Sequence, residues 1–225
     1  MVALFMIVML LVFLGIDFLV QRNKQRATVA SPAPALAPVH ERFLVPRGYF
    51  FSPNHSWLEL LSTGNVRLGI DDFSQKVIGT IEGIEVRPVQ STIRKGEPLL
   101  AIRQGNRTLS ITSPVTGRIV EVNQEVRKAP SLLNNDPYVN GWVAVVEPEN
   151  ISIELKALSV ADETAKWLKR EISRFRDFIR EHTPQSAYAQ AGITMADGGV
   201  PMSGVLKSSD EHTWKAFEKD FLSAN

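Results

Sequence analysis

Between residues 47 and 148 the chain alternates short apolar runs with turn residues. The runs "VRLGI", "TIEGIEVRPV", "PLLAIRQ", "RTLSITS", "GRIVEVN" and "GWVAVVE" are rich in Val, Ile and Thr, and Gly, Pro, Asn and Asp separate them. That period-two pattern at short spacing predicts a small all-β sandwich or barrel. "DDFSQKVIG" interrupts it: Asp71 can cap a short helix that puts Phe73, Val77 and Ile78 on one side. From Ser159 the period changes to that of a helix. "SVAD" fits a capping box with Asp162 as the acidic partner, and Leu168, Ile172, Phe175 and Ile179 make an apolar stripe. Lys166, Lys169, Arg170, Arg174, Arg176 and Arg180 alternate with Glu163, Glu171, Asp177 and Glu181 on the remaining face, which reads as solvated. Residues 183–206 turn to Gly, Ala, Ser and Pro and predict a loop. "SSDEHTWKAFEKDFL" then reads as a short amphipathic helix, with Ser208 and Glu211 as a capping box and Trp214, Phe217 and Phe221 on one face. Those rings either pack back on the domain or dock on a partner.

The amino-terminal pattern is different. Residues 2–20, "VALFMIVMLLVFLGIDFLV", carry one charge, Asp17, near their end. A bilayer core of about 30 Å takes roughly 20 helical residues, so a single transmembrane helix is expected. No basic residue precedes the run, as the start of a cleaved signal would require. Arg22, Lys24 and Arg26 follow it, which by the positive-inside rule puts the soluble body in the cytoplasm. "ATVASPAPALAPV" is Ala- and Pro-rich and predicts an extended spacer that holds a domain off the membrane. The expected organisation is therefore an anchor at 1–21, a linker at 22–46, a β domain at 47–182, and a loop with a short helix at 183–225.

Composition narrows the chemistry. The 225 residues carry a formal charge of +1, which gives no reason to expect a nucleic-acid partner. There is no cysteine, so thiolate metal sites, disulfides and thiol nucleophiles are excluded. His40, His55, His182 and His212 show no metal-ligand spacing. No phosphate-binding, dinucleotide-binding, serine-hydrolase or zinc-protease motif occurs. The pair Asp71–Asp72 is better explained by helix capping than by acid–base work. The expectation is no catalytic residue, no metal and no enzymatic activity.

Several stretches together resemble the H protein of the glycine cleavage system. They are Tyr49-Phe-Phe-Ser-Pro-Asn-His-Ser-Trp57, Val66-Arg-Leu-Gly-Ile-Asp-Asp-Phe-Ser-Gln75, Lys95-Gly-Glu-Pro98, Ser113-Pro-Val-Thr-Gly117, Glu121-Val-Asn123, Asn134-Asn-Asp-Pro-Tyr138 and Gly141-Trp142. They stand in the family's order and at near-family spacing, and "LSVADETAKWL" resembles its closing helical region. The resemblance implies a mainly β, lipoyl-domain-like barrel-sandwich hybrid with flanking helices, to which this chain adds an amino-terminal transmembrane helix and carboxy-terminal helices. It also implies a carrier, not an enzyme. In the family a lysine at a hairpin tip is joined by an amide to lipoic acid, whose arm carries an aminomethyl group between enzymes.

This chain departs from the family at that lysine. Counting back seven positions from Ser113 lands on Asn106, and counting forward from Glu97-Pro98 reaches the same place. The tip reads Arg103-Gln104-Gly105-Asn106-Arg107, and no lysine lies between Lys95 and Lys128. A carboxamide is not an acylatable amine, and the Arg107 guanidinium stays protonated. Gly-Asn also suits a primed two-residue turn, so the tip is a good hairpin without any cofactor. Arg103 stands where the family pattern has Glu, so a partner suited to an acidic loop is disfavoured here.

The sequence thus predicts a non-enzymatic, membrane-tethered adaptor whose H-protein-like domain has lost lipoylation and binds no cofactor. Residues 103–107 would form a polar partner surface, and Trp214, Phe217 and Phe221 a docking face. The expected partner is a protein, part of a redox or carrier system at the membrane. The alternatives are a lipoyl carrier of glycine cleavage modified at another lysine, and a small-molecule or lipid binder.

Overall fold

The computed structural model describes residues 43–182 and 203–223. The expected membrane span at 2–20, the linker up to residue 42 and the loop at 183–202 lie outside the described residues. Among the described residues no helix is long and apolar enough to cross a membrane.

Two antiparallel sheets form the domain. Strands β1 (Tyr49–Phe51), β2 (Ser56–Leu60) and β3 (Val66–Ile70) make a meander, and β3 continues into β9 (Ala144–Pro148), β8 (Gly117–Val122) and β5 (Thr92–Ile93). The short strand β10 (Ser159–Val160) closes the other side of this seven-stranded sheet against β1. The second sheet has three strands, β4 (Gly83–Val86), β6 (Pro98–Gln104) and β7 (Arg107–Thr112), in the order β4-β6-β7. The six runs expected from alternation are β3, β4, β6, β7, β8 and β9. Their inward positions Leu68, Ile102, Leu109, Ile119 and Val146 are fully buried. In β6 a bulge breaks the alternation. The β6–β7 register shifts between Pro98 and Leu100, and Leu99 and Leu100 are both buried there.

Short helices seal the ends. Asp71 caps helix α1 (Asp72–Ile78) as expected, its carboxylate accepting from Ser74 N at 2.8 Å. Phe73, Val77 and Ile78 of α1 are buried in the core. Helix α2 (Gln124–Lys128) is capped by Asn123, whose side-chain oxygen accepts from Glu125 N and Val126 N. Helices α3 (Leu132–Asn135) and α4 (Ile151–Glu154) are single turns with no sequence period of their own.

Helix α5 (Ala161–His182) carries the expected stripe: Leu168, Phe175 and Ile179 are buried, and Ile172 packs beside them. Its start differs from the expected capping box at Ser159. Ser159 pairs with Phe51 in the ladder, and its hydroxyl accepts from Thr164 Oγ1 at 3.1 Å. Ladder pairing takes the backbone that a cap would have used, and the chain enters α5 through Ala161 at φ +46°. The second expected box, Ser208 with Glu211, is also replaced. Asp210 caps helix α6 (Glu211–Phe217), accepting from Thr213 N at 2.7 Å, while Ser208 donates to Val205 O. A π-helical turn, Glu218–Leu222, continues α6.

The carboxy-terminal segment shares the core. Val205, Leu206, Trp214, Phe217, Phe221 and Leu222 belong to the same cluster of buried residues as the strands and α5. Phe217 meets Phe175 edge-on at 5.7 Å between ring centroids and stacks on Phe221 at 5.1 Å. Such contacts add to the roughly 1.5–3 kcal/mol gained from burying each large apolar side chain. Phe217→Ala is therefore expected to lower the unfolding free energy by about 3–5 kcal/mol, read as a lower urea midpoint. A change below about 1 kcal/mol would mean that the segment does not pack as described.

Candidate functional site

The β6–β7 hairpin presents residues 103–107 at one end of the smaller sheet. Gln104 pairs with Arg107, and Gly105 and Asn106 make a two-residue turn between them. Gly105 has φ +58°, whereas Asn106 is not among the residues with positive φ, the pattern of a II′ turn. Gly105 N donates to Glu82 Oε2 at 2.9 Å, so a carboxylate from the loop before β4 holds the turn. Asn106 is exposed at the apex.

The expected polar surface is only partly there. Gln104 is buried, its Nε2 donating to Ile78 O at 3.0 Å and Thr80 O at 2.6 Å. It fastens the hairpin to the end of α1 and offers nothing to a partner. Arg103 is exposed and lies over Gly83, where a Cβ would come within 2.8 Å of its Nη2. Arg107 is held inside the chain. Its guanidinium lies 5.4 Å over the Trp214 ring, its Nε is 3.8 Å from Glu211 Oε2, and its Nη1 donates to Lys207 O at 3.5 Å. Arg103 and Asn106 are the tip side chains left facing solvent.

Trp214, Phe217 and Phe221 are at most 1% exposed, so their predicted role as a partner-docking face is corrected. They are buried because β7 is the edge of its sheet and α6 lies along it. Trp214 Nε1 donates to Thr108 O at 3.3 Å, and Glu218 Oε1 accepts from Ser110 N at 2.6 Å. Leu222 O accepts from Thr112 Oγ1 at 3.4 Å. Helical residues four apart thereby meet strand residues two apart. Four helical residues rise about 6 Å and two strand residues about 6.7 Å, so the two periods stay in step over this length. Nothing in the sequence of either segment alone reveals that match.

A second cluster lies where the β1–β2 turn meets α1 and α5. The imidazole of His55 is fully buried, with Nδ1 2.7 Å from Asp71 Oδ2 and Nε2 3.7 Å from Glu171 Oε2. It stacks on Phe73 at 4.5 Å and lies 5.0 Å from Trp167. Burial opposes its charge, but Asp71 and then Glu171 outweigh burial and raise its pKa to about 9. Burial also works against the Glu171 carboxylate, but the nearby His55 imidazolium and hydrogen bonds from Arg174 hold its pKa below the usual value. His55 itself has φ +59°. The sequence showed Asp71 as a cap and no metal-ligand role for His55; the closure of the cluster by Glu171 from α5 was not visible in it. Among the described residues no group of three or more His, Cys, Asp or Glu could hold a metal ion.

Comparison with known proteins agrees with this architecture. The sequence model of the family described as "Glycine cleavage H-protein" matches residues 49–171, more than half of the chain. The chain belongs to the glycine cleavage H-protein family. A probable glycine cleavage system H protein of Pyrococcus abyssi is 35% identical over 127 residues, covering 56% of this chain and 94% of the relative. The glycine cleavage system H protein of Coprothermobacter proteolyticus is 34% identical over 124 residues, covering 55% and 97%. A crystal structure of an H protein from Mycobacterium marinum superposes with a TM-score of 0.50 at 25% identity, covering 56% of this chain and 99% of that one. In this H-protein family member the segment at 203–223 that covers β7 lies beyond the matched residues.

The His55 cluster makes a prediction with a definite sign. A raised pKa in the folded state means that folding favours the protonated imidazole. Its stabilisation is fully present below the unfolded value near 6.5 and is lost as pH rises through about 9. Urea midpoints of the full chain are expected to fall across that window. His55→Asn, whose side chain tolerates positive φ, is expected to flatten the slope; an unchanged slope in the variant would remove His55 as its source.

Proposed function

We propose that this protein is a non-enzymatic, membrane-tethered adaptor built on an H-protein domain that carries no lipoyl group at its hairpin tip. The observation that carries this reading is Asn106 at the apex of a well-formed, pinned hairpin. Attachment of a lipoyl arm through an amide needs a primary amine, and the side chains facing solvent at this tip are a carboxamide and a guanidinium. The arginine clamp adds support. Arg107 is held against Trp214, so the tip is fixed to a segment outside the residues that match the family.

The partner is a protein, as fits relatives named as H proteins of a glycine cleavage system. The exposed Arg103 would favour an acidic contact on that partner. The tether is the apolar run at 2–20, long enough for a bilayer, with the basic flank of residues 22–26 on the cytoplasmic side.

A lipoyl carrier modified elsewhere is the competing reading, because the relatives matched are named as glycine cleavage H proteins. Intact mass of the full chain, expressed with lipoate and a lipoylating system, separates the two. The expected mass is that of the unmodified polypeptide. A lipoyl adduct on any lysine would replace the adaptor by the carrier. Carbonate extraction of membranes tests the tether separately: the chain is expected in the pellet, and release into the supernatant would remove the anchor and leave the loss of lipoylation standing.

A further inference from the structure

A cleft of about 490 Å³ opens between the end of α1, helix α3 and the turn at Ser203–Lys207. Its lining residues are polar side chains and glycines, with no carboxylate and no large apolar side chain among them. That excludes the apolar lining usual for drug-like or lipid ligands. Its floor is bare backbone, because Gly79 and Gly204 touch there: a Cβ on Gly79 would lie 2.6 Å from Gly204 Cα.

The backbone acceptors of the cleft are used, while its hydroxyls and the Asn135 amide can still donate as well as accept. The carbonyls at the end of a helix are its natural acceptors, and here they are occupied. Lys76 O accepts from Gly204 N at 2.6 Å and from Ser203 Oγ at 3.3 Å. Gln75 O and Gly79 O accept from Asn134 Nδ2 at 3.3 and 2.8 Å. Ile78 O and Thr80 O accept from Gln104. What remains can donate. The hydroxyls of Thr80 and Ser131, the side-chain amide of Asn135 and the ammonium of Lys207 line the cleft and make no hydrogen bond or ion pair among the described residues. The Lys76 ammonium is taken up by Asp72 at 2.8 Å, so the charge offered to an occupant is that of Lys207.

We propose that this cleft binds the oxyanion group, carboxylate or phosphate, of a small polar molecule. A cation finds the helix-end carbonyls taken and the Lys207 ammonium beside them. An apolar group finds no large apolar side chain to bury against. An oxyanion finds hydroxyl, amide and ammonium donors around a floor that lets it approach the backbone, and charge-assisted hydrogen bonds are the stronger kind. The site is particular to this chain, since Ser203, Gly204 and Lys207 lie beyond the residues that match the family. It also sits next to the hairpin. Gln104 ties the hairpin to Thr80, and Arg107 reaches Lys207 O, so an occupant would lie one residue from the tip's own supports. The site does not depend on whether the tip is lipoylated.

The test is a titration of the isotope-labelled full chain in detergent micelles with sodium phosphate, sodium succinate and, at equal ionic strength, sodium chloride. Saturable amide shifts confined to Ser131, Asn135 and Lys207 are expected with phosphate or succinate and not with chloride. Which of the two acts identifies a phosphoryl or a carboxylate ligand. Lys207→Gln is expected to weaken binding by about fivefold or more, from loss of a charge-assisted bond. Lys215→Gln, outside the cleft, is expected to leave it unchanged. No saturable shift with either oxyanion, the same shift with chloride, or equal weakening by both variants would overturn the proposal.

Discussion

A sheet edge cannot be left bare without inviting another chain to pair with it, and β7 is such an edge. In this protein the edge is covered from within. Trp214, Glu218 and Leu222 take up polar groups of Thr108, Ser110 and Thr112, while Phe217 and Phe221 carry the apolar load behind them. The polar contacts fix the register and the rings supply the free energy. Neither would suffice alone: a net hydrogen bond contributes only about 1 kcal/mol, and apolar burial is non-directional. The position of α6, the hold on Arg107 and the shape of the oxyanion cleft all follow from this one docking.

The hairpin that results is unlike a swinging arm. Glu82 holds the turn, Gln104 ties it to the end of α1, and Arg107 is stacked on Trp214. The family fold is retained around it, with both sheets and α1 in place. A fold does not fix a function; the function lies in the groups placed on it. Here the group at the apex is a carboxamide. That is why the proposed adaptor role rests on what the tip can bind and not on what it can carry.

The buried histidine ties other parts of the domain together. His55 comes from the β1–β2 turn, Asp71 caps α1, and Glu171 comes from α5. Phe221 lies 6.3 Å away, between ring centroids, so the carboxy-terminal turn closes over the charge. A buried charge is tolerated only when paired, and removing one partner leaves the other uncompensated. The cluster therefore couples the barrel to both terminal helices more specifically than apolar packing can. Burial also raises the Tyr138 phenol well above its usual range, and its hydroxyl donates to Leu44 O. That contact fastens the chain where it joins β1.

The strands with clear alternation, the Asp71 cap, the stripe Leu168–Phe175–Ile179 and the Gly105-Asn106 turn were all legible in the sequence. Each depends on neighbours within a few residues, so period and turn chemistry suffice to find it. The absence of an acylatable lysine at the tip was equally plain, because a missing functional group needs no structure to be missed. Contacts between residues far apart in the chain were decided by the tertiary structure alone. It buried Gln104, turned Trp214, Phe217 and Phe221 inward, drew Ser159 into the ladder with Phe51, and closed Glu171 over His55. The physical reason is common to these cases. An apolar helix face or a polar side chain states what it must satisfy but not with which partner, and the choice was made by an exposed strand edge and by helix-end carbonyls lying some 25 to 110 residues away.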